Sequence, residues 1–253
     1  MFFTQKLISM KMPTTEIALP SLGKAYPEGH PLSSGKVEMK YMSAAEEDIL
    51  SNFGYIEDGT LIDRLLKSMV VQRGIYDDLI LGDQAALLYA ARVLGFGGEY
   101  TFKATCPKCG TESEFKVDLQ DLETTGDPDK LNPENVYETV LPVSGYTVKF
   151  KLLTVKDDRQ AARAIQGAKK VGGNPVVSEM LRQAVIEVEG GKIKIGEFIP
   201  HGLAIRDSKH LQKEMNKRMP GVKTEVELTC PVCGELFSRT LPIQANFFYP
   251  TDV

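Results

Sequence analysis

Apolar residues recur at helical spacing in the first part of the chain and at strand spacing around two later points. Leu61, Ile62, Leu65, Leu66, Met69 and Val70 make one broad apolar face, which predicts an amphipathic helix opened by Thr60. Upstream, Ser43-Ala-Ala-Glu46 fits a capping box, in which serine and glutamate side chains satisfy free N–H groups at a helix start. That helix is expected to run to about Phe53 and to end at Gly54. Asp83 is read as the cap of a third helix, Gln84 to Leu94, with Leu87, Leu88, Ala91 and Leu94 buried and Gly95 as its left-handed stop. All of these stripes read as core.

Strand-like alternation follows at Phe102 and Ala104, then at Phe115, Val117 and Leu119. A second stretch repeats it with Val226 and Leu228, then Leu241 and Ile243. Between them the pattern predicts a hairpin, Val136 to Leu141 and Tyr146 to Leu153, turning at Ser144-Gly145. Thr154 and Asp157 suit the start of a helix reaching about Lys170, and Asn174-Pro175 starts another. Ile186 to Ile195, alternating around Gly190-Gly191, predicts a further hairpin. A last helix is expected from Asp207 to Met219, stopped by Pro220-Gly221. Residues 13–35 keep neither period and carry Pro13, Pro20, Pro27 and Pro31 with Gly23, Gly29 and Gly35. They read as an extended arm, either a loose terminus or a segment draped over a partner, with Leu19, Leu22 and Tyr26 as anchors.

The expected fold class is α+β: a helical N-terminal block, and zinc-ribbon-like β-hairpin knuckles closed over a large α/β insert. The expected division is an arm at 1–36, a helical block at 37–98, a discontinuous knuckle module at 99–121 and 222–245, an α+β insert at 122–221 and an aromatic tail at 246–253.

Composition adds little to this. The 253 residues suffice for a sizeable core, and 42% apolar with 25% charged residues is ordinary for a globular protein. A net charge of −4 gives no general attraction to nucleic acid or to an anionic membrane. No apolar run approaches the roughly 20 residues of a membrane span. The opening to Met12, broken by Lys6 and Lys11, lacks the apolar core of a signal peptide, so a reducing cytoplasm is expected.

The cysteines carry the chemistry. There are four, Cys106, Cys109, Cys230 and Cys233, in two matching turns, Cys106-Pro-Lys-Cys109-Gly110 and Cys230-Pro-Val-Cys233-Gly234. Thiolates are soft anionic ligands, and a two-residue gap lets both sulfurs reach one ion. Two such turns complete one closed four-cysteine site, so the reading is one structural Zn²⁺ per chain with no open position for catalysis. Two disulfides or an iron centre are the competing readings. The 120 residues between Cys109 and Cys230 exceed the usual gap. Loop closure grows only logarithmically, so the extra span costs roughly 2 kcal/mol, against about 10–16 kcal/mol for structural zinc in small peptides.

No phosphate-binding loop, zinc-protease helix or nucleophile elbow is present. His30, His201 and His210 read as solvated or locally hydrogen-bonded, so no catalytic residue, small-molecule substrate or organic cofactor is assigned. The knuckle stretches 99–121 and 222–243 hold five Lys/Arg against eight Asp/Glu, the wrong balance for phosphate contacts. Arg206 to Lys223 is the one basic stretch, read as the solvated face of an amphipathic helix.

The C-terminal run is the most specific part of the chain. It reads Asp207-Ser-Lys-His-Leu211, Pro220, Cys230-Pro-Val-Cys233-Gly234, Leu241-Pro-Ile243 and Asn246-Phe-Phe-Tyr249-Pro250. Leu19-Pro-Ser-Leu-Gly23, Pro31-Leu-Ser-Ser-Gly35, Met39-Lys-Tyr-Met42, Glu46-Glu-Asp-Ile-Leu50 and Asp63-Arg-Leu-Leu66 add to it. Together they resemble the T4-like bacteriophage baseplate protein family, of the hub or hub-assembly type, with Tyr249 where a tryptophan is usual. The resemblance implies a non-enzymatic structural or assembly component of the baseplate hub of a contractile-tailed phage. Its partners would be other baseplate and tail proteins, not a membrane, and it would reside in the host cytoplasm during assembly, either staying in the virion tail baseplate afterwards or acting in assembly alone. A zinc-ribbon adaptor for nucleic acid or transcription machinery is the alternative.

Overall fold

Residues 13–35, which carry no periodicity, fold back on their own chain. A computed structural model describes residues 12–243 and 247–249; the opening segment through residue 11, residues 244–246 and residues 250–253 lie outside the described residues, and with them the signal-peptide reading and most of the aromatic tail. Strand β1 (Thr14–Ala18) pairs antiparallel with β2 (Lys36–Lys40), placing Ile17 beside Val37 and Thr15 beside Met39. The loop between them closes because two glycines permit a close backbone approach. A Cβ on Gly23 would lie 2.4 Å from the Ser33 carbonyl oxygen, and one on Gly35 2.8 Å from Leu22 backbone. Leu19, Ala25, Tyr26 and Leu32 are buried beneath the loop, while Leu22, expected as an anchor, is 57% exposed.

The helical block follows, with three departures from the pattern. Helix α1 (Ala44–Leu50) has the capping box, Glu46 accepting from both the Ser43 amide at 2.9 Å and its hydroxyl at 2.6 Å. It ends before Gly54, because Asn52 caps a separate short helix α2 (Phe53–Glu57) that contains the glycine. Helix α3 (Leu61–Met69) buries Leu65, Leu66 and Met69. Helix α4 (Leu81–Phe96) is longer than expected and runs through Gly95, whose missing Cβ leaves room for the Met42 sulfur. The stop is Gly97, at φ +83°.

Asp83 lies inside the first turn of α4, and caps the arm instead of the helix. It is fully buried and accepts from the Ser21 amide at 2.9 Å, the Ser21 hydroxyl at 2.7 Å and the Tyr26 hydroxyl at 2.6 Å. The same tyrosine oxygen accepts from the Ile80 amide at 3.1 Å. These contacts span 54 to 62 residues of sequence, which is why no local pattern announces them.

Two antiparallel hairpins carry the cysteines. The first is β3 (Glu99–Thr105) with β4 (Glu112–Asp118). The chain between the hairpins leaves and returns through one short ladder, β5 (Thr124–Thr125) against a later strand at 221–222. It contains the sheet β6 (Tyr137–Val140), β7 (Thr147–Phe150) and β8 (Val185–Val188), in that order. Helices α5 (Val155–Lys169) and α6 (Val176–Ala184) form a helical hairpin between β7 and β8, α5 opened by a Thr154–Asp157 capping box. The Gly190-Gly191 hairpin does not form. Both glycines have positive φ in a tight helical turn, Val188 pairs back to Val148 of β7, and Ile195–Glu197 makes a single helical turn, α7. Helix α8 (Ile205–Arg218) begins two residues before Asp207, which is buried and accepts from the Val143 and Ser144 amides at 2.7 and 3.0 Å. The chain then returns through β9 (Gly221–Val222) and forms the second hairpin, β10 (Glu225–Thr229) with β11 (Leu236–Thr240).

The fold is α+β, and one continuous apolar cluster runs through it. Helix α4 contributes Leu87, Tyr89 and Ala91 to it. The Leu81 amide donates to the Leu153 carbonyl at 3.0 Å and the Val155 amide to the Leu79 carbonyl at 2.8 Å, joining α4 to α5. Gly82 lets the β9 neck approach, since a Cβ there would lie 1.6 Å from the Pro220 carbonyl oxygen. Arg159 of α5 reaches Asp77 through both terminal nitrogens, at 3.0 and 3.1 Å, and Asp63 of α3 at 3.0 Å. Among the described residues, no helix is long and apolar enough to cross a membrane.

Candidate metal centre

Each cysteine turn is built the same way. The Cys106 amide donates to Thr111 and the Gly110 amide to Cys106, both at 3.0 Å; the Cys230 amide donates to Glu235 and the Gly234 amide to Cys230, both at 2.9 Å. Gly110 at φ +70° and Gly234 at φ +72° are the positions that need glycine. In each turn the first cysteine is buried and the second exposed.

The hairpins are brought together by contacts that the cysteine motif does not contain. The Phe115 and Phe237 rings meet edge to face at 5.9 Å. Arg239 donates to the Thr105 carbonyl at 2.9 Å, Lys108 pairs with Glu235 at 2.7 Å, and the Tyr100 hydroxyl donates to the Pro242 carbonyl at 2.6 Å. Phe237 is the inward residue of β11. The expected pair Leu241 and Ile243 lies beyond that strand, Leu241 buried and Ile243 exposed.

All four sulfurs lie within 4.8 Å of one another, and two pairs across the hairpins, Cys106 with Cys233 and Cys109 with Cys230, stand at 3.7 Å. A tetrahedral ion with metal–sulfur bonds near 2.3 Å sets its sulfurs about 3.8 Å apart. The spacing therefore suits one four-coordinate soft ion, and the cysteines are free thiols. The Thr111 hydroxyl and amide hydrogen-bond the Cys109 sulfur and hold its thiol down to about 6. Cys233 is pushed up to about 12: the Glu235 amide favours its thiolate, but partial desolvation and the three neighbouring sulfurs outweigh that. Four thiols so close share protons until a cation replaces them.

The histidines sit in other surroundings. His30 accepts from the Leu32 amide at 3.2 Å and stacks on Tyr26; His210 meets the Thr139 hydroxyl at 3.0 Å; His201 is exposed. Among the described residues, the four cysteines are the one group of His, Cys, Asp and Glu close enough to hold a metal ion.

Residues 12–248 match the family model of the T4 bacteriophage base plate protein. The chain belongs to that family. The match takes in both cysteine hairpins, the segment between them, the folded arm from Met12 and the aromatic end through Phe248. No curated protein and no solved structure matches the chain. The base plate family range thus ends where the chain packs inward: Phe247 is fully buried, edge-on to Tyr89 at 5.6 Å and to Tyr100 at 5.3 Å, and Phe248 is buried beside it. Tyr249 stays 42% exposed, its hydroxyl donating to the Leu50 carbonyl of α1.

Proposed function

We propose that this base plate family member is a non-enzymatic structural or assembly component of the base plate hub of a contractile-tailed phage, closed by one structural zinc ion. Cys106, Cys109, Cys230 and Cys233 are the ligands, and the ion is Zn²⁺ because an all-thiolate tetrahedral set is its common structural environment. The observation that carries the reading is the convergence of four thiols, 120 residues apart in pairs, inside a family match that spans nearly the whole chain. When bound, the ion supplies a closed coordination centre with no open position. The chain's own residues do the rest. The β5–β9 ladder closes the neck, Gly82 seats that neck on α4, and Phe115 and Phe237 align the two turns.

In this reading residues 122–221 form an α+β insert whose ends meet in the β5–β9 ladder at the base of the two hairpins, and the ion joins the hairpin tips beyond that neck. The partners are other base plate and tail proteins, met in the host cytoplasm and retained in the virion tail. Mass spectrometry of purified virions, with electron microscopy of tails from a phage lacking this chain, tests the assignment. Absent or malformed base plates support it, and normal tails contradict it.

A further inference from the structure

Helix α8 carries Arg206, Lys209, Lys213 and Lys217 on its outward face, all exposed. None of the four takes part in an ion pair among the described residues. The acids of the helix are engaged elsewhere, Asp207 on the Val143 and Ser144 amides and Glu214 on Arg218. The stripe extends about 16 Å at 1.5 Å per residue. Like charges at i, i+4 oppose helix formation, and Arg206 sits at the helix end that disfavours cations. An exposed isoleucine, Ile205, 80% accessible, begins the stripe.

The outward face of the second cysteine hairpin has the complementary composition. Cross-strand register places Glu225, Glu227, Thr229, Leu236, Ser238 and Thr240 on one side, all exposed. Glu225 and Glu227 form no ion pair among the described residues, the nearby Lys223 being held by Glu123 at 3.0 Å. Leu236 is 71% accessible. Along the backbone, residues two apart on a strand are spaced about 7 Å and residues four apart on a helix about 6 Å, so the two rows have similar repeats.

We propose that a second copy of this chain docks its acidic β10–β11 face on the basic face of α8, Glu225 and Glu227 meeting Lys209 and Lys213, with Leu236 and Ile205 giving an apolar contact. Charge complementarity of this kind sets register and encounter rate, and it is sensitive to salt. A face used once on each side repeats from copy to copy, so the copies form a reciprocal pair, a ring or, where the rotation does not close, an open filament. The inference stands independently of the hub assignment.

Sedimentation velocity of the full metal-loaded chain tests it, at about 50 mM and about 500 mM NaCl. Assemblies larger than a monomer are expected at low salt, dissociating at high salt. K209E/K213E and E225K/E227K should each weaken association at least about tenfold, and an equimolar mixture of the two should restore it. Thermal melting confirms that both variants fold, and their mixture tests the contact even where one is less stable. A monomeric wild type at low salt overturns the proposal, as does association unaffected by either reversal. Binding of duplex DNA that K209E/K213E abolishes, with the protein alone monomeric, assigns the stripe to nucleic acid and also overturns it.

Discussion

The molecule fastens distant segments in two ways, and the cysteine hairpins and the arm make the contrast. The hairpins are thin. Each has two strands, most positions on β10 and β11 are exposed, and their mutual packing depends on Phe115, Phe237 and a few polar contacts. The arm is a single loop without ladder pairing from Leu19 to Gly35, yet it buries Leu19 and Leu32 completely and inserts two hydroxyls onto a buried carboxylate. Where apolar burial is scarce, the metal proposed above would be the fastener; where the loop fits the core, none is needed.

Removing the metal should therefore have the largest effect and an uneven one. Chelation, or Cys106→Ser, is expected to deprotect the amides of 99–118 and 225–240 in hydrogen exchange and to lower the melting temperature by more than about 10 °C. Amides of 19–35 should keep their protection. Equal loss in both regions would erase the contrast. The arm is probed next by Leu32→Ala, which removes a fully buried side chain and should cost about 3–5 kcal/mol in chemical denaturation, with metal content unchanged.

Glu46 sharpens the same comparison through pH. It is buried, which opposes its charge, but hydrogen bonds from Lys40, Ser43 and Ser68 hold its pKa down to about 2 from 4.5. A depressed acid contributes stability above its unfolded value and loses it as pH falls through the folded value. Glu46→Gln should cost about 2–3 kcal/mol at neutral pH, and the gap to wild type should close between about pH 4.5 and 2. Tyr26→Phe should cost about 1–3 kcal/mol by denaturation, because the Ile80 amide and the Asp83 carboxylate each lose a partner. Lys108→Ala, at an exposed pair with Glu235, should change stability by less than about 1 kcal/mol.

Sequence reveals the two fasteners unequally, for physical reasons. A C-x-x-C turn is local: its ligands, its proline and its positive-φ glycine lie within five residues, so Cys106 and Cys230 announce the site. The α1 capping box and the α5 start at Thr154 and Asp157 are equally local and form where the pattern predicts. The arm is not. Its contacts join Ser21 and Tyr26 to Asp83, whose carboxylate otherwise reads as an ordinary helix cap. The alternation read after the second turn falls on Leu241 and Ile243, beyond the end of β11, and so misses Phe237 within it. The Gly190-Gly191 segment misleads because a hairpin pattern specifies a turn but not the strand's partner; β7 holds that place. Arg159, joining α3 and α5, has no sequence signal beyond its charge.

Native mass spectrometry of the chain purified without chelator, beside Cys106→Ser, tests the central claim most directly. One zinc per wild-type chain, absent from the variant together with its hairpin protection, is the predicted result. Less than one zinc per chain, or a zinc-free variant that stays folded at the wild-type melting temperature, would contradict it.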